Sequence, residues 1–516
     1  MKTSRVLHVM MAFLLTGAIL ACSFVTTMFT GETEKSSEQS TTGDEGESGQ
    51  STTGGEGESQ ESSTGGEGSL EPIVGTWKQI PFQGVGGRSN VYMGDSGVWF
   101  GDYYYTGTVN VVNAPVIPGE GTGGSSDAQP PQPMGPETGS GVGQPPAGAG
   151  QPFAGQQPAS SKTGAEIWRT RDGTRWEVVG EPGLGNPEYT TFQTMLYKNR
   201  MYVFTATKAA LLVSRDGQTF ETVDGEWSDG DVRGMLAPYM FGDSLFVTGW
   251  SALKGMRAWL TTDGVRFDSV KADFLGDPAY QTMCGYGTPV AFNSWYYMGI
   301  RNVATGGEVW RTKDGSAWWT VPGAPDEDPL YTVACLTLDH DGYLYFQYVA
   351  NYEPDPERGV DVFRTADGEN WDKVIENGFG LGQEEGASGG FGVYKNRLYF
   401  VLENGFNATA TGAKGFRLWQ SLDGKTWEQV GEPGFGYAGS DQATLRIIRD
   451  MFYLVARNTK EGNRVWRSTD GTNWELFFTF PANQTNYGHH LAEIADGLEY
   501  FEYDMTKGVQ IWRYGP

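Results

Sequence analysis

WRTRDGTRW, residues 168 to 176, places an aromatic strand, a Thr-x-Asp-Gly turn and a second aromatic strand within a single short segment. Six further copies follow: LVSRDGQTF (212–220), WLTTDGVRF (259–267), WRTKDGSAW (310–318), FRTADGENW (363–371), WQSLDGKTW (419–427) and WRSTDGTNW (466–474). The Gly supplies the positive φ that a tight hairpin requires without a Cβ penalty. The Asp carboxylate can accept from backbone N–H groups just ahead of it, and the Ser/Thr two residues earlier can add a hydroxyl bond. A repeat of about fifty residues built from strand-length apolar segments and Gly turns predicts a β-propeller. One equivalent copy per repeat makes Asp172, Asp216, Asp263, Asp314, Asp367, Asp423 and Asp470 turn-forming residues. Metal or ligand binding is the alternative reading of the same set.

Two further strand-like segments precede each turn, as in TFQTMLYKN and RMYVFTAT (191–207) or GFGVYKN and RLYFVLE (390–403). Each repeat is therefore a four-stranded blade, a-b-c-d. The C-terminal segments LAEIADG (491–497), LEYFEYD (498–504) and VQIWRYGP (509–516) supply a, b and c of a last blade without its d strand. GTWKQIP (75–81) matches TRWEVVG (174–180) and supplies that strand from the N-terminal end. The count is eight blades, or seven if one repeat is distorted. Of the 17 Trp, 12 occupy the two recurrent strand positions (Trp168, Trp259, Trp310, Trp419, Trp466 and Trp512; Trp77, Trp176, Trp318, Trp371, Trp427 and Trp474), which assigns most indole surface to the cores between blades.

The Ser/Thr-x-Asp-Gly-x-x-Trp/Phe pattern resembles the Asp-box, or bacterial neuraminidase repeat, over the chain beyond about residue 71. The resemblance implies a propeller and leaves function open, since the family spans sialidases, other glycosidases, an assembly factor and sorting receptors. Its sialidases use an arginine cluster, a Tyr nucleophile with a Glu partner and an Asp acid/base on six blades. The Arg-Ile-Pro motif that carries their first arginine is absent here. The Arg residues mostly follow the strand c aromatic (Arg169, Arg311, Arg364, Arg467 and Arg513), so sialidase activity is disfavoured.

The N-terminus carries Lys2 and Arg5, then an apolar run from about Val9 to Leu20 that is short for a membrane span. Ile19-Leu20-Ala21-Cys22 resembles the lipobox of bacterial lipoproteins, which implies a signal peptide over 1–21 and lipidation of Cys22. By the same analogy, Ser23 favours the outer membrane of a Gram-negative envelope. Residues 22–70 are acidic and rich in Gly, Ser and Glu, with repeats such as TTGDEGESGQS, and are expected to form a disordered tether. The propeller is assigned to 71–516. A Gly/Pro/Gln/Ser-rich stretch at 108–163 is expected to be an insertion between strands b and c of the first blade.

The net charge is −26. The leader contributes +2 and the tether −9, so the rest carries −19. That sign disfavours nucleic acid and anionic lipid, leaving the lipid anchor as the membrane contact. Beyond Cys22 only Cys284 and Cys335 occur, and they are read as two buried thiols rather than a disulfide. No His-Glu-x-x-His, Gly-x-Ser-x-Gly or P-loop pattern is present, and no cofactor or metal is expected. The His489-His490 pair points to opposite faces of a strand.

The loops from d to the next a share a face with those from b to c. The d-to-a loops recur as GEPGLGNPEYT (180–190), ADFLGDPAY (272–280), ENGFGLGQEEG (376–386) and GEPGFGYAGSD (431–441). Their Gly-Phe/Leu-Gly core reads as backbone geometry. The variable residues beyond it are the candidate ligand face: Tyr189, Asp231, Arg233, Tyr280, Gln281, Tyr331, Ser388, Asp441, Gln442, Tyr487 and His489. The balance favours a monomeric, lipid-anchored, non-catalytic propeller that binds a protein or glycan. The alternative is a secreted glycoside hydrolase or lyase using two carboxylates at the channel mouth.

Overall fold

The computed structural model describes residues 73–516 except 81–89, 94–96, 111–163, 206–207, 230–231, 252–253, 284–288, 303, 326–330, 351–357, 383–387, 405–413, 441, 485 and 505–507. The signal peptide, Cys22, the tether and Cys284 therefore lie outside the described residues, as does 111–163 of the insertion.

The chain forms an eight-bladed β-propeller of antiparallel sheets. Strands b, c and d are Tyr103–Asn110, Ile167–Thr170 and Glu177–Val179 in blade 1, and Arg200–Thr205, Leu211–Ser214 and Glu221–Thr222 in blade 2. In blade 3 they are Ser244–Ser251, Gly255–Thr261 and Asp268–Ser269, and in blade 4 Trp295–Asn302, Gly306–Thr312 and Trp318–Thr320. Blade 5 uses Tyr343–Ala350, Asp361–Thr365 and Asp372–Ile375, and blade 6 Arg397–Glu403, Arg417–Ser421 and Glu428–Val430. Blade 7 uses Met451–Arg457, Arg464–Ser468 and Glu475–Thr479. Strand a is Phe192–Tyr197, Val232–Phe241, Tyr331–His340, Ser388–Tyr394 and Gln442–Ile448 in blades 2, 3, 5, 6 and 7, and is split in blade 1 (Asn90–Met93 and Val98–Phe100) and blade 4 (Tyr280–Met283 and Val290–Phe292), where both pieces pair with the same strand b.

Blade 8 is built from both ends of the chain. Asn486–Ile494, Gly497–Asp504 and Gly508–Gly515 supply a, b and c, and Thr76–Ile80 supplies d, running antiparallel to c from Thr76↔Gly515 to Ile80↔Ile511. The expected closure is thus observed. The insertion begins later than composition suggested. Thr108, Val109 and Asn110 continue strand b, where the Thr108 N–H donates to Glu166 O at 2.9 Å and the Asn110 N–H to Thr190 O at 2.7 Å.

Each Asp-Gly turn is closed twice over. In the first, Asp172 Oδ1 accepts from the N–H groups of Thr174 (2.8 Å) and Arg175 (3.0 Å), and the Gly173 N–H donates to Thr170 Oγ1 at 2.9 Å. The Gly-to-hydroxyl bond recurs in the other six turns at 2.8–2.9 Å. These backbone bonds hold the carboxylates of Asp172, Asp216, Asp263, Asp367, Asp423 and Asp470 below the usual range. A lowered folded pKa stabilises above the unfolded value, and that contribution is lost as the pH falls through the folded one. Asp423→Ala removes the bonds from Lys425 and Thr426 and is expected to lower stability by about 1 kcal/mol. A urea midpoint unchanged at pH 7 would count against the turn role.

The turns also lock neighbouring blades together. Tyr105, Tyr202, Tyr297, Tyr345 and Tyr399 of strand b set their hydroxyls against the turn glycine of the next blade, so a Cβ on Gly217, Gly264, Gly368, Gly424 or Gly471 would overlap that oxygen. Tyr202 Oη donates to Gly264 O at 2.5 Å.

Packing is concentrated between blades. The described residues contain eight buried clusters, one at each junction. Most are completed by a side chain wedged in from the d-to-a connection onto the two recurrent aromatics of the next blade. Trp227 meets Trp259 and Phe267 at 5.2 and 5.4 Å. Phe274 meets Trp310 and Trp318 at 4.9 and 5.4 Å. Phe379 stacks on Trp419 at 3.9 Å, Phe435 meets Trp466 at 5.5 Å, and Phe480 meets Trp512 and Trp77 at 5.5 and 5.3 Å. Between blades 4 and 5 the described part of the connection contributes Val321 and Ala324, and the buried ring of Tyr348 packs on Phe363 at 5.3 Å. The Gly-Phe-Gly core holds two of these wedges, Phe379 and Phe435. Gly434 N–H donates to Phe416 O at 2.7 Å, and Phe435 itself takes a left-handed conformation (φ 50°).

Candidate functional site

One concavity on the outer wall is built around one of these wedges. Between blades 6 and 7 the outer wall opens into a groove of about 300 Å³ lined by Val430, Gly431, Glu432, Phe435, Trp466, Thr472, Trp474 and Leu476. Gly431, Glu432 and Phe435 belong to a d-to-a loop, and Thr472 to the Asp-Gly turn of the following blade. Trp466 is anchored by Phe416 at 5.9 Å and Phe435 by Trp474 at 5.9 Å, so the aromatic floor is part of a core cluster. Glu432, Thr472 and Leu476 stand exposed around it. Apolar rings beneath a carboxylate and a hydroxyl suit a ligand with alternating C–H and O–H faces.

The residues expected on the ligand face are only partly displayed. Tyr189 is half-buried, its ring 6.4 Å from Phe192 and its carbonyl accepting from the Ala165 N–H at 2.7 Å. Tyr280 is half-buried 6.4 Å from both Phe274 and Trp310, and burial with the nearby Glu308 charge pushes its phenol up. Gln442, also half-buried, begins strand a of blade 7 opposite Arg457. His489 requires correction: it is buried, not on the rim, with its ring 6.2 Å from Tyr500 and Nε2 3.3 Å from Val455 O. His490 packs on Phe501 across the sheet, and burial beside Arg446 pushes its imidazole well below the ordinary value. Arg233, Gln281, Tyr331, Ser388 and Tyr487 lie on strands a, where only their backbone is described, and Asp231 and Asp441 fall outside the described residues.

The strand c arginines occupy a common register, facing strand d on one side and, on the other, a strand b tyrosine in four blades and Glu499 in blade 8. Arg169 pairs with Glu177 at 2.6 Å and Arg467 with Glu475 at 2.5 Å. Arg364 stands opposite Asp372 and donates to Asp423 O. Arg513 pairs with the buried Glu499. Arg311 stands opposite Trp319 and has no carboxylate partner among the described residues. These arginines lie apart from one another, one to a blade. Among the described residues no group of three His, Cys, Asp or Glu side chains is placed to hold a metal, and no helix is long and apolar enough to cross a membrane.

No family model and no curated relative matches the chain. Solved structures resemble it distantly. A prolyl endopeptidase aligns at 10% identity and a TM-score of 0.43, covering 81% of this chain, which spans about half (55%) of that one. The BP39L lectin from Burkholderia pseudomallei aligns at 10% identity and 0.41 over 61% of this chain and 92% of the lectin. A Trypanosoma rangeli sialidase aligns at 12% and 0.31 over 55% and 53%. Likenesses this distant carry no functional argument.

Proposed function

We propose that the protein is a lipid-anchored cell-envelope propeller of the Asp-box type that binds a glycan without turning it over. The observation that carries this reading is the groove between blades 6 and 7, where the half-buried Trp474 and Phe435, backed by the buried Trp466, line an apolar surface together with the exposed Glu432 and Thr472. A sugar ring offers such a surface its C–H face, and its hydroxyls reach the carboxylate. The Asp carboxylates repeated through the fold are committed to turn N–H groups, which supports binding over catalysis.

A glycan and peptide screen with the mature chain should give glycan hits. Glu432→Gln and Thr472→Val should weaken the best hit at least fivefold without moving the melting temperature, since both side chains are exposed. Protein ligands alone would sink the glycan reading. Hydrolysis of a glycoside that disappears in the Glu432→Gln variant would instead establish an enzyme.

Anchoring is tested separately. Cys22→Ala should leave an unprocessed precursor or release the protein from the membrane fraction. A processed Cys22→Ala product that still partitions into detergent would exclude lipidation as the anchor.

A further inference from the structure

We propose a second ligand site, for a carboxylate-bearing sugar such as a uronate, at the Asp-Gly-turn end of blade 4. Its components are Arg311, Lys313, Trp295 and Trp319. The strand d residue facing the strand c arginine register is acidic in six blades, Glu177, Glu221, Asp268, Asp372, Glu428 and Glu475 in blades 1, 2, 3, 5, 6 and 7, and is Lys78 in blade 8. In blades 1 and 7 that acid neutralises the strand c arginine directly. In blade 4 the position is Trp319, in register with Arg311, so the arginine is retained while its internal carboxylate is replaced by an indole.

The replacement leaves a specific vacancy in charge. The Arg311 guanidinium lies 4.6 Å and the Lys313 ammonium 4.9 Å from the centroid of Trp295. Arg311 Nε is buried with no hydrogen-bond partner. Trp295 meets Trp319 edge to face at 5.3 Å, and Trp319 is 47% exposed, although the recurrent tryptophans beside it are core residues. Two cations with no carboxylate partner among the described residues, flanked by an open indole, are unusual on a chain of net charge −26.

A planar guanidinium takes a carboxylate through two parallel N–H bonds. An indole face takes the C–H face of a pyranose. A uronate carries both features on one ring: its carboxylate stands where Glu177 stands in blade 1, and its ring covers Trp319. An acidic peptide would supply the charge but not the stacking face, so the exposed indole favours the sugar. This site lies at the opposite end of the blades from the d-to-a loops and two blades from the groove described above, and it does not depend on that groove.

The test uses the mature chain with tetragalacturonate, cellotetraose and tetraglutamate as probes, read by calorimetry at low and high salt. Tetragalacturonate should bind, weaken with added salt, and lose at least tenfold in affinity in Trp319→Ala and in Arg311→Gln. The decisive variant is Trp319→Glu, which restores the acid found in blade 1. It should fold at least as stably as the parent and abolish tetragalacturonate binding by occupying Arg311 from within, while the groove ligand of blades 6 and 7 still binds. No measurable binding of tetragalacturonate, equal binding of cellotetraose, binding of tetraglutamate as tight as the uronate, or uronate binding that survives Trp319→Glu would each overturn the proposal.

Discussion

Deleting residues 71–82 is expected to leave a chain that does not hold its native ring at 37 °C. The segment contributes five paired residues and the Trp77 ring, which contacts Phe477, Phe478, Phe480 and Tyr514 at 5.3 to 5.9 Å. Losing a fully buried large aromatic costs about 3–5 kcal/mol, and the half-buried Trp77 accounts for part of that. Each lost ladder bond adds about 1 kcal/mol, against a total stability of about 5–15 kcal/mol for a folded domain. The deletion also bares the edge of Gly508–Gly515, an unpaired strand that invites association with other chains. The milder change Trp77→Ala should lower the urea midpoint by the aromatic share alone. A truncated protein with the parental midpoint would mean that the ring does not depend on this closure.

The second large effect concerns the junction that closure creates. At the strand b position facing the strand c arginine register, seven blades carry Tyr105, Tyr202, Phe246, Tyr297, Tyr345, Tyr399 and Tyr453; blade 8 carries Glu499. Glu499 is fully buried. Its Oε1 is bound by Arg513, its Oε2 has no partner, and both side chains press on Gly173 of blade 1. Burial pushes this carboxyl up to about 8, against the pull of Arg513 and with the Asp172 charge adding to the rise. Because the folded value lies above the unfolded one, the native state holds the proton more tightly. The stabilisation is complete below about pH 4.5 and is lost as the pH rises through about 8. Unfolding free energy should therefore fall by up to a few kcal/mol between pH 5 and pH 9. Glu499→Gln, which cannot ionise, should flatten that fall and unfold at higher urea than the parent at pH 9. Glu499→Ala should destabilise more than Glu499→Gln at every pH, because it removes the acceptor of the buried Arg513 N–H and leaves a void beside Gly173. Parallel pH profiles for the parent and Glu499→Gln would show that Glu499 does not titrate in this window.

The ring was legible in the sequence because its determinants are local and repeated. Asp423 and Gly424 close a turn through atoms within a few residues, and seven copies fix the period. The strand at 76–80 was recoverable because Trp77 and Trp176 occupy the same place in matching segments. The wedges were legible only where they ride on a Gly-Phe/Leu-Gly core, as at Leu184, Phe379 and Phe435. Trp227 and Phe480 fill the same space from loops with no shared motif, because a wedge is selected for volume and not for backbone shape. The site was harder to read. Tyr189 and Tyr280 follow variable loops and look like rim residues, yet each turns inward onto a neighbouring ring. The Trp319 exception emerges only when the blades are superposed register by register, since Trp-Trp at 318–319 reads alone as two core residues.

The direction of the closing strand bears on how the molecule carries load. Thr76 pairs with Gly515 at the Asp-Gly-turn end and Ile80 with Ile511 nearer the other. The strand axis at Thr76 therefore points to the side opposite the d-to-a loops, with Ile73 just before it held in the core between blades 7 and 8. A pull exerted through that N-terminal segment, resisted by a ligand held among the loops, runs along the strand rather than across it. Its hydrogen bonds are then strained together in shear instead of peeling open in succession. The weakest seam of the ring by connectivity is thereby oriented to resist traction along its strongest axis.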